Sequence, residues 1–362
     1  MPSPKINCGN YVFFSMSPSF LAQKSGCEKF FCSIPLSPAD ERCNIPNMEN
    51  YPQTLAELKR RFATEHACAQ YLCQLRWPGG FVCPRCRGTR AWTTKRGLST
   101  CTACEYQLSV KAGTIFERSR LPLTMWFRAI WWVTSQKNGA SAKGLQRLLG
   151  LGSYETAWTW LHKLRRAMVQ AGRDRLAGTI EVDETYMGGE KRTDRGHGAQ
   201  AKALVLIAAQ TDGKRIGRIR LRRVADASAR SLQPAITEAV EPGSVLRTDG
   251  WEGYVGLDKG GYVHEITRER ADVGENLLPC CDRVASGLKR WLLDAHQRAV
   301  SHEHLDYYLD EYTFRFNHRT TRSGGKLFYR LIQQAVTAEP VPYSALVKHA
   351  RGPKTKKRPI WR

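Results

Sequence analysis

Gly178-Thr-Ile-Glu-Val-Asp-Glu-Thr-Tyr-Met-Gly-Gly189 is a short β-branched run studded with acids. Side chains alternate across a strand, so Glu181 and Asp183 share one face while Val182 and Glu184 share the other. A second run, Ser244-Val-Leu-Arg-Thr-Asp-Gly-Trp251, brings Asp249 to its end, and Asp282 opens a helical stretch, Asp282-Arg-Val-Ala-Ser-Gly-Leu-Lys289. Two strand-end acids and one helical acid can chelate a divalent metal beside a phosphate. Their wide spacing, 66 positions from Asp183 to Asp249 and 33 from Asp249 to Asp282, suits carboxylates that converge from separate elements. Hard oxygen ligands select Mg2+ or Mn2+, which neutralise charge in phosphodiester chemistry. Lys289 lies about two helical turns beyond Asp282 on the same face, where it can steady a phosphate. Each acid also has a plain structural reading. Thr248-Asp-Gly250 is a common turn, Asp282 fits a helix N-cap, and Glu181 and Glu184 compete with Asp183 for any metal role.

Around these acids, residues 179–185, 203–209, 216–224, 245–248 and 262–267 read as strands and 228–240 as a helix. Three strands, a helix and a further strand predict an α/β sheet with an antiparallel portion. Helices return over 282–293 and 304–316. Upstream, apolar residues recur at helical intervals over 54–75, and Trp77-Pro-Gly-Gly80 breaks the pattern. Further helices are expected over 121–135, 141–149 and 154–168. No internal repeat is visible.

The chain has 362 residues, enough for two or three domains, and 42% of them are hydrophobic, enough for a folded core. Lys plus Arg number 56 against 33 Asp plus Glu, a formal net charge of +23. That excess points to a polyanionic partner, most often nucleic acid. No apolar run reaches the roughly 18 residues needed to span a bilayer, and no signal-peptide pattern opens the chain. A cytoplasmic, nucleoid-associated protein is therefore expected. Residues 1–47 show no sustained periodicity and are expected to be a poorly ordered extension, with Met48 a candidate start codon. The tail from Lys348 to Arg362 is basic without an acid.

Of the twelve cysteines, four have metal-ligand spacing: Cys83-Pro-Arg-Cys86 and Cys101-Thr-Ala-Cys104, fourteen residues apart. Each CxxC turn offers two thiolates to one ion, and two such knuckles complete a tetrahedral zinc site that replaces a core in a small unit. A closed four-thiolate site has no open position for substrate, so its role is structural. The alternatives are two disulfides or four unrelated thiols. Arg85, Arg87, Arg90, Lys95 and Arg96 decorate the same module, either to touch phosphates or as solvated surface charge. The segment 141–168 reads as two helices around Gly150, with Ser153 a candidate N-cap. Its second helix offers Tyr154, Glu155, Thr156, Trp158, Thr159, Lys163, Arg165 and Arg166 to a major groove. The competing reading is an all-α core in which Trp158 and Trp160 are packed.

The order of these motifs resembles one family. With Gly113-Thr-Ile-Phe116, Trp131-Trp-Val-Thr-Ser-Gln-Lys-Asn-Gly139, Arg247-Thr-Asp-Gly250 and Leu288-Lys-Arg-Trp291, the cysteine pairs and Glu181-Val-Asp-Glu-Thr-Tyr186 are similar to those of bacterial insertion-sequence transposases of the IS fifteen-ninety-five type. These join an N-terminal zinc ribbon to an RNase H-like DDE-type catalytic domain. The resemblance implies an RNase H-like mixed sheet with flanking helices, structural Zn2+, catalytic Mg2+ or Mn2+, and DNA ends and target DNA as partners. It also implies paired-end cutting by a homodimer or higher assembly. It places Asp183 and Asp249 on the first two catalytic acids and Lys289 on the family lysine. Asp282, seven before that lysine, stands at the third position, which is Glu in some branches of the family. The expected division is an extension over 1–47, a helix over 48–75, a zinc ribbon over 76–118 and a helix-turn-helix-like region over 119–172. A catalytic domain over 177–335 and a basic tail over 336–362 complete it. A nuclease that does not transfer strands, or an inactive DNA-binding remnant, would share these features.

Overall fold

The computed structural model describes residues 51–169, 175–187, 202–213, 215–268, 277–296 and 302–348. The expected extension over 1–47 and most of the basic tail lie outside them. The chain begins with α1 (Leu55–Arg61) and α2 (Glu65–Arg76), where the sequence pattern predicts one helix. The break follows from Thr64, whose hydroxyl accepts from the Ala67 N–H at 3.2 Å and so caps a new helix.

A three-stranded antiparallel sheet follows, made of β1 (Ala91–Thr93), β2 (Leu98–Cys101) and β3 (Gln107–Ser109). Next come α3 (Leu123–Ser135), α4 (Ala142–Leu149) and α5 (Tyr154–Met168). Gly150 ends α4 in the left-handed conformation, and the Ser153 hydroxyl caps α5 by accepting from the Glu155 N–H.

Then come β4 (Thr179–Met187), β5 (Ala203–Asp212), β6 (Arg215–Val224), α6 (Ala229–Ala239), β7 (Val245–Thr248) and β8 (Val263–Ile266). The strands form one mixed sheet in the order β6-β5-β4-β7-β8. The β6, β5 and β4 pairings are antiparallel, and β4, β7 and β8 run parallel. This is the mixed α/β sheet with flanking helices expected from the sequence. The helices α7 (Pro279–His296), α8 (Leu305–Asn317), α9 (Gly324–Ala335) and α10 (Tyr343–Lys348) complete the described chain.

Strand alternation divides the sheet's side chains between two cores. Ile180, Val182, Leu204 and Leu206 pack against α6 residues Leu232 and Ile236. On the opposite face, Val205, Ile207 and Ala209 pack against Cys281, Val284 and Leu288 of α7 and Leu309 of α8. A third core joins α1 to α5, and Trp126 stacks on Trp160 there with centroids 3.8 Å apart. Helix α9 belongs to this third core through Phe328, Leu331 and Ile332. The boundary drawn at 335 from sequence therefore groups with the sheet a helix that packs among the N-terminal helices. The apolar positions of α9 fix that it is amphipathic but not which core it joins.

Candidate functional site

Four thiols form a compact cluster. The ligand atoms of Cys83, Cys86, Cys101 and Cys104 all lie within 4.8 Å of one another. The Cys83–Cys104 and Cys86–Cys101 Sγ separations are 3.7 and 3.6 Å, far beyond a disulfide bond of about 2.05 Å. They match the edge of about 3.8 Å that four sulfurs make around a zinc ion at about 2.3 Å. The two knuckles repeat one backbone design. The Arg87 and Glu105 N–H groups, both residues at positive φ, donate to the carbonyls of Cys83 and Cys101. Burial alone would raise the Cys83 thiol, but N–H groups of Cys86 and Arg85 and the neighbouring thiols bring it down to about 7, toward the thiolate a metal needs. The cluster supports structural zinc. Arg85, Arg87, Arg90, Lys95 and Arg96 are all exposed on the same module.

Asp183 lies within β4, and Asp249 follows the last residue of β7. Strands β4 and β7 pair in parallel with Thr179 opposite Val245 and Glu181 opposite Arg247. Asp183 and Asp249 each follow this last pair by two residues. Gly250 follows at φ +88°, and a Cβ there would lie 2.7 Å from Ile266 Cγ2, so the turn after Asp249 needs glycine. The Asp249 carboxylate accepts from the Trp251 N–H at 3.0 Å and lies 3.7 Å from the exposed Arg268 guanidinium.

Asp183 is half-buried, and burial pushes its carboxyl up to about 6; the carboxylates of Glu184, Asp249 and Asp282 add to the rise, and a backbone N–H at Glu184 opposes it. Asp249 and Asp282 are thus near enough to Asp183 to act on its charge, but among the described residues the three carboxylates do not close to within 4.8 Å of one another as the four thiols do. Glu184 points to the other face, as alternation predicts, and there accepts a hydrogen bond from the Tyr254 hydroxyl. Burial raises Glu184, with Asp249 adding to the effect. Sequence reasoning missed Tyr254, a fully buried side chain next to this site, because nothing local marks a tyrosine as the partner of an acid 70 positions away.

Asp282 is not an N-cap. Helix α7 begins at Pro279, so Asp282 is its fourth residue, and its N–H already donates to the Leu278 carbonyl at 3.1 Å. Proline suits the first helical position, where no intrahelical N–H bond is lost. Asp282 and Lys289 are both exposed on α7, seven residues apart. Glu181, buried on the Asp183 face, does not share their exposure. Its Oε2 accepts from the N–H groups of Cys280 at 2.7 Å and Cys281 at 3.1 Å. Cys280 and Cys281 are free and buried.

In the helix-turn-helix-like segment, Tyr154, Glu155 and Arg166 are exposed and Thr156, Trp158, Thr159 and Lys163 are half-buried. Arg165 is a correction to the set of groove candidates. It is 2% exposed and its Nε lies 2.6 Å from Oε2 of Glu311, itself 0% exposed on α8. Arg165 also donates to the Ala140 carbonyl, and Arg315 donates to the other Glu311 oxygen and to the Val133 and Gln136 carbonyls. Burial would raise the Glu311 carboxyl, but Arg165 and Arg315 hold it at about 2. This network ties α3 and α5 to α8 and leaves Arg165 unavailable to DNA.

Among the described residues, no helix is long and apolar enough to cross a membrane. Residues 175–317 match the model of the ISXO2-like transposase domain, and residues 63–107 match that of the transposase zinc-ribbon domain. The first match spans the acids and Lys289, and the second spans all four zinc-site cysteines. An uncharacterized protein in transposable element ISH50 of Halobacterium salinarum is 26% identical over 280 residues, covering 71% of this chain and 92% of the relative. No solved structure matches the chain. Two segments of the chain, 63–107 and 175–317, are thus similar in that order to the zinc-ribbon and ISXO2-like domains of transposases.

Proposed function

We propose that the chain is a DDE-type transposase that binds transposon ends and performs metal-dependent strand cleavage and strand transfer. The observation that supports this reading is that Asp249, just past β7, and Asp282, in the first turn of α7, both act electrostatically on Asp183 of β4. These three carboxylates would hold Mg2+ or Mn2+, which when bound supplies charge neutralisation at the scissile phosphate. Lys289, exposed on the same helix as Asp282, binds and orients a DNA phosphate. The zinc-ribbon cations and the exposed Tyr154 and Arg166 of α5 hold the transposon end. The net charge of +23 draws DNA to the protein.

None of the proposed residues serves as a covalent nucleophile in this reading. Water attacks first, and the freed 3′-hydroxyl then attacks target DNA, both in line. Pairing of two ends calls for a homodimer or higher assembly in the DNA complex. The test is strand transfer from pre-cut ends into target DNA with Mg2+ or Mn2+. Joined products are expected. Cleavage of intact ends without joining would instead make the protein a metal-dependent nuclease. Binding with neither reaction would make it a non-catalytic DNA-binding protein.

A further inference from the structure

We propose that Glu181 is a positioning residue that fixes Asp282 relative to Asp183 by gripping the first turn of α7. The proposal rests on the reading of Asp183, Asp249 and Asp282 as the metal-binding acids, and adds what sets their geometry. The first N–H groups of a helix have no intrahelical acceptor and are ordinarily satisfied by an N-cap side chain just before the helix. Helix α7 is preceded by Leu277 and Leu278, whose side chains have no acceptor to offer. The acceptor comes instead from β4. Glu181 Oε2 takes both the Cys280 N–H, at 2.7 Å, and the Cys281 N–H, at 3.1 Å.

Glu181 is only 5% exposed and has no ion pair among the described residues. Its charge is met by the positive end of the α7 dipole and by these two amides. A buried carboxylate used in this way is a fixed strut rather than a surface group. Its position on the strand gives the strut a function. Glu181 and Asp183 are two residues apart on one face of β4, and Cys281 immediately precedes Asp282. One rigid strand therefore carries Asp183 and, through Glu181, holds the turn that carries Asp282. The separation of the two acids is set without either of them bonding the other. The cysteines at 280 and 281 contribute their amides to this contact, and the Cys281 thiol donates to the Ile207 carbonyl on β5, a second anchor for the same turn.

The test uses the full-length protein without DNA. Mn2+ affinity is measured by calorimetry, and amide exchange of residues 277–285 by mass spectrometry, in wild type, Glu181→Ala, Glu181→Gln and Asp183→Ala. Loss of the strut in Glu181→Ala is expected to speed exchange at the start of α7 and to weaken Mn2+ binding roughly 10-fold, the scale seen when a group supporting a metal ligand is removed. Glu181→Gln keeps an oxygen that accepts from Cys280 and Cys281, and is expected to restore slow exchange and most of the affinity. Wild-type exchange and affinity in Glu181→Ala would overturn the proposal. So would a Glu181→Gln variant with slow exchange but affinity as weak as that of Glu181→Ala, because Glu181 would then be a ligand itself. If Asp183→Ala binds Mn2+ like wild type, the acid-site reading fails, and that result is distinct from a failure confined to the Glu181 variants.

Discussion

Asp183 and Asp249 each lie two residues past the last paired positions of the parallel strands β4 and β7, Glu181 and Arg247, and Asp249 raises the Asp183 carboxyl. Their carboxylates repel one another in a half-buried setting, a conflict that a cation bound there would relieve. Replacing Asp249 by Asn should therefore stabilise the metal-free protein, by about 0.5–2 kcal/mol for relief of one such conflict. The same variant should lose the rise in melting temperature that Mn2+ gives wild type, because ligand binding to the folded state is what produces that rise. Thermal unfolding with and without Mn2+ measures both effects.

The four thiols should hold one zinc per chain. Metal analysis should find it in wild type and not in Cys101→Ser. Without it, amides across 81–109 should exchange freely, since the small ribbon has little core beyond the metal site. The helical core built on Trp126 and Trp160 should stay protected, and hydrogen exchange distinguishes the two.

The Arg165–Glu311–Arg315 network makes a prediction about acid. Glu311 sits at about 2 in the folded protein, below the 4.5 of an unperturbed glutamate. Its contribution to stability is therefore complete above about pH 4.5 and is lost as pH falls toward 2. Glu311→Ala leaves two buried guanidinium groups without their partner and should cost about 3–5 kcal/mol at neutral pH. Its denaturation midpoint should also depend less on pH over this window than that of wild type. Urea unfolding at a series of pH values checks both.

Gly287 lies inside α7, and a Cβ there would fall 2.6 Å from the Tyr312 hydroxyl. Alanine favours a helix over glycine by up to about 1 kcal/mol, but here its methyl must displace the Tyr312 hydroxyl and should give a net loss of about 1–3 kcal/mol. Adding Tyr312→Phe removes the obstructing oxygen and should recover much of that loss. A double-mutant cycle in stability reads the coupling directly.

Much of this was legible in the sequence because it depends on local pattern. The period-two alternation of 179–187 assigned Glu181 and Glu184 to opposite faces, and Gly150 with Ser153 marked the turn between α4 and α5. Paired CxxC turns marked the thiol cluster. What was not legible depends on contacts between distant segments. Arg165 looked like a groove cation because helical spacing does not reveal Glu311, 146 positions on. Asp282 looked like an N-cap because the true cap, Glu181, is supplied from about a hundred residues upstream. A hint was available in the leucines before Pro279, which cannot cap a helix. The split between α1 and α2 could also have been read from Thr64, a second threonine placed like Thr54.

The most direct measurement compares cleavage and binding of transposon-end DNA by wild type, Asp183→Ala and Asp249→Ala in Mg2+. Both variants should bind ends as wild type does and show no detectable strand cleavage. Undiminished cleavage by either variant would contradict the assignment of these two aspartates as the centre of the reaction.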